Sequence, residues 1–195
     1  MRIVVINHLT LDGVMQGPGR ADEDTRDGFD RGGWSPPYGD EVMGRFLGER
    51  MRRSGGALLF GRRTYQDLLG YWNTQDESPF RPALNDAQKF VASTTLREPL
   101  PWPNSALLEG DVPAAVRELR GATGGDLTIM GSGELIRSLI PHYLIDEYLL
   151  MIHPLVLGSG HRLFDENGSI SRLELLDSTT TTTGVVIATY GTSRD

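Results

Sequence analysis

Two glycine-containing junctions are the places in this sequence whose residues are best suited to bind an anion. They are FGRRTYQ at 60–66 and MGSGELI at 130–136, and each joins a strand-like run to a helix-like run. A glycine at the end of a strand lets a ligand approach the backbone, and the helix that follows presents N–H groups without partners inside the helix. Such N–H groups bind phosphates. Arg62, Arg63 and Thr64 follow the first glycine and could add charge and a hydroxyl to the site.

Each junction by itself permits two interpretations. The segment GSGELI lacks the third glycine of the GxGxxG dinucleotide motif, and the chain has no GxxxxGK[ST] phosphate loop. A glycine in a βα turn can also serve only to let a helix pack closely on a sheet. A phosphate site and a packing glycine therefore both remain open for either junction considered alone.

Two aspartates are candidates for delivering a proton. Asp12 lies in a glycine-containing loop, where its side chain could equally stabilise a turn. Asp40 lies next to Glu41 at the start of a predicted helix, where both charges could equally be favoured by the helix dipole. Neither position identifies a proton donor without further information.

Three aromatic residues, Trp34, Tyr38 and Trp72, could stack on a heterocyclic substrate or could cover the edges of the core. The four histidines show no metal-ligand spacing, and the chain has no cysteine. The sequence therefore predicts no metal site, no disulfide and no thiolate zinc centre.

The elements that would position these residues follow from hydrophobic periodicity. Strands are predicted at 2–8, 57–60, 89–94, 105–109, 126–130, 145–157, 172–181 and 184–191. Helices are predicted at 40–53, 61–72, 112–120 and 131–140. The segment 10–40 is predicted to be a long loop, the segment 73–87 a loop that can contain a helical turn, and 167–169 a turn.

This order of elements indicates an α/β fold. Strands alternate with helices in the first two thirds of the chain and follow one another at its end, so we expect a mixed, mostly parallel sheet of about eight strands. Four helices should flank it, with antiparallel strands at the C-terminal end. The chain length of 195 residues fits one domain over 1–195.

Composition limits the classes of function. A net charge of −7 argues against general nucleic-acid binding, which needs a basic surface. There is no run of 18 or more apolar residues, so no transmembrane helix and no membrane partner are expected. The N-terminal residues resemble a first strand rather than a signal peptide, which predicts a cytoplasmic protein.

Five segments in a fixed order resemble a known superfamily. These are HLTLDGVMQGPG, LLFGRRTY, FVAST, TIMGSGELI and, at 153–164, HPLVLGSGHRLF. Together they resemble the dihydrofolate reductase-like superfamily, and within it the reductase domain of bacterial riboflavin biosynthesis enzymes. The resemblance covers nearly the whole chain, and 16–40 and 73–87 match least well.

The resemblance implies an NADPH-binding site. The residues expected at the pyrophosphate and the adenosine 2′-phosphate are Gly61, Arg62, Arg63 and Thr64, with Ser93 and Thr94 also beside the 2′-phosphate. The residues expected at the pyrophosphate and nicotinamide side are Gly131, Ser132, Gly133, Glu134 and Leu135. The residues expected beside nicotinamide and substrate are Thr10, Leu11, Asp12 and Gly13. NADPH is expected rather than NADH because this turn carries arginines and hydroxyls, whereas NADH sites usually place a carboxylate on the ribose.

The implied function is hydride transfer from NADPH to a C=N or C=O bond of a small pterin- or pyrimidine-like heterocycle. Nicotinamide should lie between the first and fifth strands, with 10–40 as a partial lid and Asp12, Asp40 or water as the proton source. Dihydrofolate reductases carry a buried acid on the helix before the GRxT turn, and Asp40 matches that acid only with a gap. This departure puts strict dihydrofolate reduction in doubt.

Two other functions remain open at this point. One is a stand-alone 5-amino-6-(5-phosphoribosylamino)uracil reductase of riboflavin biosynthesis, and the other is a non-catalytic NADPH-binding protein. The apolar strands after 145 could also extend the sheet across a two-fold axis, which would give a homodimer.

Overall fold

The computed structural model describes residues 1–78, 80–122, 124–164, 168 and 170–193. In this part of the chain eight strands form one sheet, in the order β4-β3-β2-β5-β1-β6-β8-β7. The strands are β1 Ile3–Thr10, β2 Ala57–Gly61, β3 Lys89–Ala92, β4 Ser105–Leu108, β5 Leu127–Met130, β6 Glu147–His153, β7 Leu173–Thr180 and β8 Val186–Thr192. The α-helices are α1 Glu41–Ser54, α2 Arg62–Trp72, α3 Phe80–Asp86, α4 Val112–Gly121 and α5 Gly133–Leu139.

The first six strands pair in parallel, and β8 pairs antiparallel with both β6 and β7. The central strand β1 is buried along almost its whole length because helices and loops cover both faces of the sheet. The predicted architecture, a mostly parallel mixed sheet with antiparallel C-terminal strands, is thereby confirmed.

The two faces of the sheet carry separate apolar clusters. On one face α1 contributes Met43 and Leu47, which pack against Ile6 and Met151 of β1 and β6. On the other face α4 and α5 pack against β1 and β5. Asp40 caps the beginning of α1, and its carboxylate accepts a hydrogen bond from the Met43 N–H at 2.8 Å. Gly55, in the left-handed conformation, follows the last residue of the helix.

The segment 73–87 contains the two-turn helix α3, which is longer than the single helical turn that the prediction allowed. The sequence of this segment is mostly polar, and the helix is stabilised by tertiary contacts. Leu84 is buried, and the buried ammonium group of Lys89 donates hydrogen bonds to the carbonyl oxygens of Leu84, Asn85 and Ala87. A cation at the C-terminal end of a helix satisfies carbonyl groups that have no partner within the helix.

The strand predicted at 145–157 is shorter in the structure, where β6 ends at His153. Beyond Pro154 the backbone leaves the sheet to contact the loop after β1, and the Leu11 N–H donates to the Leu155 carbonyl at 2.8 Å. The predicted turn at 167–169 includes residues outside the described part of the chain.

The long segment 10–40 is held by the buried side chain of Gln16. Its amide nitrogen donates to the carbonyl oxygens of Asp24 and Arg26, and its amide oxygen accepts from the His161 N–H at 2.9 Å. The indole N–H of Trp34 donates to the Gln16 carbonyl at 2.9 Å. One polar side chain therefore fixes a loop that has little regular structure.

At the N-terminal edge of the parallel strands, four charged residues form one network. Arg2 contacts Asp126 at 3.1 Å and Glu147 at 3.2 Å, and Arg50 contacts the same two carboxylates at 3.2 and 2.6 Å. The network ties α1 to the beginnings of three strands. Within the described residues, no helix is both long enough and apolar enough to cross a bilayer.

Candidate functional site

A cleft of about 1180 Å³ lies at the carboxyl ends of the parallel strands. It exceeds the about 300–1,000 Å³ that is usual for a small-molecule pocket, so it has room for more than one ligand. The carboxyl edge of an open α/β sheet is where such proteins bind ligands. The ends of β2, β3 and β5 contribute the residues Gly61–Thr64, Ser93–Thr94 and Met130–Leu135 to its lining.

The two glycine junctions found in the sequence lie side by side because β2 and β5 are neighbours in the sheet. They are also joined by reciprocal hydrogen bonds. The Gly61 N–H donates to the Ser132 hydroxyl oxygen at 2.9 Å, and the Ser132 N–H donates to the Thr64 hydroxyl oxygen at 3.1 Å. The two turns therefore form one rigid surface in the cleft.

The second turn needs its glycine for conformational reasons. Gly131 has φ +63°, and a Cβ added there would lie 3.1 Å from Cγ2 of Thr64. The next residue, Ser132, also adopts the left-handed conformation, with φ 62° and ψ 51°. The close approach of the two turns thus depends on a glycine at 131.

Two arginines stand at the start of α2, beside these turns. Arg62 donates to the Gln66 side chain at 3.0 Å, and Arg63 donates to Glu134 at 2.8 Å. The Gly61 residue that precedes the helix has no side chain to cap the first-turn N–H groups. The first turn of α2 therefore offers N–H groups and two cations at one place.

Glu134 accepts hydrogen bonds from two arginines, since Arg26 also reaches it at 3.1 Å. Partial burial alone would raise the pKa of Glu134, but the hydrogen bond from Arg63 and the charges of Arg63 and Arg26 outweigh burial and lower the pKa. The carboxylate is consequently ionised at neutral pH and pairs with the cations next to the turns.

Ser93 and Thr94 line the cleft directly after β3. The Ser93 hydroxyl oxygen accepts from the N–H groups of Thr95 and Leu96 at 3.1 and 3.0 Å, which forms a tight turn. Both residues lie at the same edge of the sheet as the α2 arginines because β2 and β3 are adjacent.

The cleft also contains charged residues that the sequence did not single out. Arg20 and Arg26 come from the 10–40 loop. The Arg20 guanidinium pairs with Asp67 and lies 4.5 Å from the ring centre of Tyr71, which ties the loop to α2. Arg26 binds Asp24 with two hydrogen bonds, at 2.8 and 2.6 Å. Only the tertiary fold brings these residues to the cleft. The sequence of a loop rich in Gly, Pro and Asp gives no signal that its arginines lie there.

Thr10, Leu11, Asp12 and Gly13 are not among the residues that line this cleft. The Asp12 carboxylate accepts from the Thr10 hydroxyl at 2.6 Å and from the N–H groups of Leu157 and Gly158 at 3.2 and 2.8 Å. Burial alone would raise the pKa of Asp12, but these hydrogen bonds lower it. The geometry favours the turn role of Asp12 and gives it no proton to deliver at neutral pH.

Asp40 also lies outside the cleft lining. Besides capping α1, its carboxylate accepts from the N–H and the hydroxyl of Thr182, both at 2.6 Å. The hydrogen bond from the Met43 N–H, followed by those from Thr182, lowers the pKa of Asp40. Asp40 therefore joins α1 to the turn before β8. This position matches the alternative in which Asp40 is a charge at the start of a helix and not a proton donor.

Trp34 and Tyr38, which the sequence offered as substrate contacts, cover a buried histidine instead. Their rings meet the ring of His153 edge to face, with centroids 5.1 and 5.3 Å apart. Neither ring lines the cleft, whereas Trp72 does.

The sequence gave no role to His8, which lines the cleft near the apolar residues Ile6, Leu47 and Met151. Its Nδ1 atom lies 2.9 Å from Nε2 of the buried His153. Among the described residues, no group of three or more His, Asp or Glu side chains could hold a metal ion.

A family model and a related bacterial protein match most of this chain. The model of the family described as RibD C-terminal domain matches residues 2–187. An uncharacterised protein of Bacillus subtilis, YyaP, is 31% identical over 139 residues, which cover 68% of this chain and 72% of YyaP.

Solved structures share the fold. A putative riboflavin biosynthesis protein from a Shewanella species has a TM-score of 0.70 at 23% identity, with both chains fully covered. A dihydrofolate reductase from Enterococcus faecalis, complexed with NADP(H), has a TM-score of 0.62 at 12% identity, covering 100% of this chain and 97% of the other. A deaminase and 5-amino-6-(5-phosphoribosylamino)uracil reductase from Thermotoga maritima has a TM-score of 0.64 at 15% identity, covering 98% of this chain and 56% of the other. The dihydrofolate reductase-like fold is thereby confirmed.

Proposed function

The chain belongs to the RibD C-terminal domain family, and we propose that it is an NADPH-dependent reductase of a small pterin- or pyrimidine-like heterocycle. The observation that carries this proposal is the pair of hydrogen-bonded turns with two arginines beside them, in a cleft of about 1180 Å³. Family membership and the reductase relatives support the oxidoreductase part of the proposal.

The residues present fit a dinucleotide with an additional phosphate. The first turn of α2 offers N–H groups that suit a pyrophosphate, and the left-handed turn at Gly131 lets such a ligand approach the backbone. Arg62 and Arg63 provide the planar forks that suit a phosphate monoester, with the hydroxyls of Ser93 and Thr94 at the neighbouring strand end. This combination supports NADPH over NADH.

Bound NADPH would supply a hydride to a C=N or C=O bond of the substrate. The protein's own residues bind and orient the ligands and limit the access of water. Ile6, Leu47 and Met151 form an apolar wall next to His8, where a flat heterocycle can replace water. The Arg20 contacts with Asp67 and Tyr71 hold the 10–40 loop against α2, which makes this loop a partial cover of the cleft.

The stand-alone uracil reductase of riboflavin biosynthesis remains a second candidate. The deaminase and 5-amino-6-(5-phosphoribosylamino)uracil reductase from Thermotoga maritima shares the fold, and Arg20 and Arg26 add cations to the cleft that would suit a ribosyl phosphate. Turnover of this substrate by the isolated chain, compared with turnover of pterins, separates the two candidates. The absence of turnover with either class, together with tight NADPH binding, would favour a non-catalytic binding protein.

Fluorescence titration tests the cofactor. Trp72 lines the cleft, so excitation of tryptophan should transfer energy to a bound nicotinamide. We expect saturable NADPH binding that is at least tenfold tighter than NADH binding, because a charge-assisted hydrogen bond to a phosphate contributes about 1.5–3 kcal/mol. Equal affinities would remove the 2′-phosphate assignment, and the absence of binding by folded protein would remove the reductase proposal.

A further inference from the structure

His8 and His153 contact each other through one ring nitrogen each, and their other two ring nitrogens lie in different environments. Nδ1 of His8 meets Nε2 of His153 at 2.9 Å, and His153 is completely buried. The other nitrogen of His153, Nδ1, is buried without a hydrogen-bond partner among the described residues. His8 is only partly buried and lines the cleft, so its other nitrogen, Nε2, is the one left to face a ligand.

Both rings are neutral at physiological pH. Burial, together with repulsion by His153, lowers the pKa of His8 to about 3. Burial alone lowers the pKa of His153 to about 4. Each ring therefore carries one N–H, and the pair shares one N–H between the two facing nitrogens.

The unpartnered nitrogen decides which ring donates. If His8 donated to His153, the N–H of His153 would sit on Nδ1, as a buried donor without a partner. If His153 donates from Nε2, its buried Nδ1 is a bare acceptor. Orphaned buried N–H groups are rarer than under-satisfied acceptors, so the second arrangement is favoured. In that arrangement the N–H of His8 sits on Nε2 and faces the cleft.

We propose that His8 is a substrate-binding residue that His153 holds in the Nε2–H tautomer, so that it donates a hydrogen bond to a carbonyl oxygen or ring nitrogen of the substrate. His153 is then a positioning residue. The proposal deepens the reductase function above and rests on it, because it assumes that the ligand in the part of the cleft beside His8 is the substrate. It also restricts the substrate class to heterocycles that place a hydrogen-bond acceptor at His8 and an apolar surface against the neighbouring apolar wall.

The position of His8 suits this role. Side chains alternate along a strand, so Ile6 and His8 lie on the same face of β1, where Leu47 and Met151 form the apolar wall. A fixed neutral donor can stabilise negative charge that develops on a nitrogen or oxygen as hydride adds to the adjacent carbon. The proton that completes the reduction comes from water in the open cleft, and His8 keeps its own.

The tautomer can be measured without a substrate. Protein labelled with ¹⁵N-histidine is studied by long-range ¹H–¹⁵N correlation at pH 7, and the signals are assigned with His8→Phe, His153→Phe and the exposed control His142→Gln. We expect a protonated Nε2 and a bare Nδ1 on both His8 and His153. A bare Nε2 on His8 would overturn the proposal, because His153 Nδ1–H would then rest against Trp34 or Tyr38.

The same sample tests substrate contact. NADPH-saturated protein is titrated with dihydrobiopterin, which carries carbonyl and ring-nitrogen acceptors, and with diaminouracil, which carries carbonyl acceptors only. We expect at least one to bind and to shift the Nε2 resonance of His8 while His142 stays unchanged. Binding of a probe with no shift at His8, or binding of neither probe, would contradict the proposal, whereas loss of NADPH binding would contradict the cofactor assignment instead.

The two variants separate positioning from contact. His8→Phe should weaken probe binding about tenfold with unchanged NADPH affinity, since it removes one hydrogen bond and keeps a ring. His153→Phe should place His8 in a mixture of tautomers and weaken the probe by a smaller factor. An unchanged His8 tautomer in His153→Phe would exclude the positioning role.

Discussion

The two edges of the parallel sheet both gather arginines and carboxylates, but they do so in opposite ways. At the N-terminal edge, Asp126 and Glu147 are only 12% and 7% exposed in their side chains, and each pairs with Arg2 and Arg50. At the carboxyl edge, Glu134 is 66% exposed and its partner Arg63 is 50% exposed. The first group joins elements of the fold, whereas the second lies in an open cleft where a ligand can replace or join its contacts.

The difference shows that residue type does not decide whether a charge cluster is structural. The two carboxylates and Arg50 have low exposure, which makes the N-terminal network costly to break, although Arg2 is itself half exposed. Exposed pairs contribute little to stability, so the charges at the carboxyl edge can serve binding without a large loss of stability.

Breaking the buried network should have the largest effect. Glu147→Ala leaves Arg50 without its 2.6 Å partner and should lower the free energy of unfolding by about 3 kcal/mol. Chemical denaturation measures this change. The exposed carboxylate Glu174 on β7 provides a control, because its alanine variant should change stability by about 0.5 kcal/mol or less. Equal losses of unfolding free energy in the two variants would show that the network at the N-terminal edge is not structural.

Removing a cation from the cleft should affect binding and leave stability unchanged. Arg62→Ala should weaken NADPH binding about ten- to a hundredfold and NADH binding much less, because it removes a charge-assisted contact with a phosphate. The exposed Arg117 on α4 serves as the control for loss of one positive charge. A parallel loss of NADPH and NADH affinity would show that Arg62 does not contact the 2′-phosphate.

The buried histidines should make stability depend on pH. The folded-state pKa of His153, about 4, is below its ordinary value, so the unfolded state binds more protons as the pH falls below about 6.5. Stability contributed by the neutral ring is therefore present at pH 7 and is lost on acidification. Relative to His153→Phe, the wild type should lose about 2 kcal/mol more between pH 7 and pH 5. Denaturation curves at the two pH values measure this, and parallel losses would show that His153 does not remain neutral.

Glu134→Gln should have the smallest effect. It removes a negative charge beside the two turns and leaves an amide oxygen that can still accept from Arg63, so NADPH should bind about two- to fivefold tighter. The exposed Glu118 on α4 gives the matched Gln control. Weaker binding of NADPH by Glu134→Gln would mean that the carboxylate is needed to orient the arginines.

The sequence predicted the elements around the half of the cleft proposed for the cofactor well, because local signals specify them. The glycine at 61, the following arginines and the Gly131–Gly133 turn are each encoded within a few residues, and the strand pattern implies that β2 and β5 reach the same edge. The sequence allowed only a helical turn where α3 lies, because the stability of this helix depends on Leu84 and Lys89, whose contacts are set by the tertiary packing.

The half of the cleft proposed for the substrate depends on contacts that the sequence alone does not reveal. Asp12, Asp40, Trp34 and Tyr38 have the chemical types that catalysis uses, yet contacts with segments more than a hundred residues away hold all four outside the cleft lining. His8 had no local signal, because its environment is created by His153 on β6, at a sequence separation of 145.

Periodicity and glycine conformation are local properties, so the sequence was enough to predict the order of the eight strands and four of the helices and the position of the two glycine turns. The dihydrofolate reductase-like fold was implied by the resemblance of five motifs. Only the tertiary structure decided which charges are buried in a network, which lie in the cleft, and which polar residues stabilise turns. The physical reason is that exposure, hydrogen-bond partners and pKa are set by neighbours that are distant along the chain.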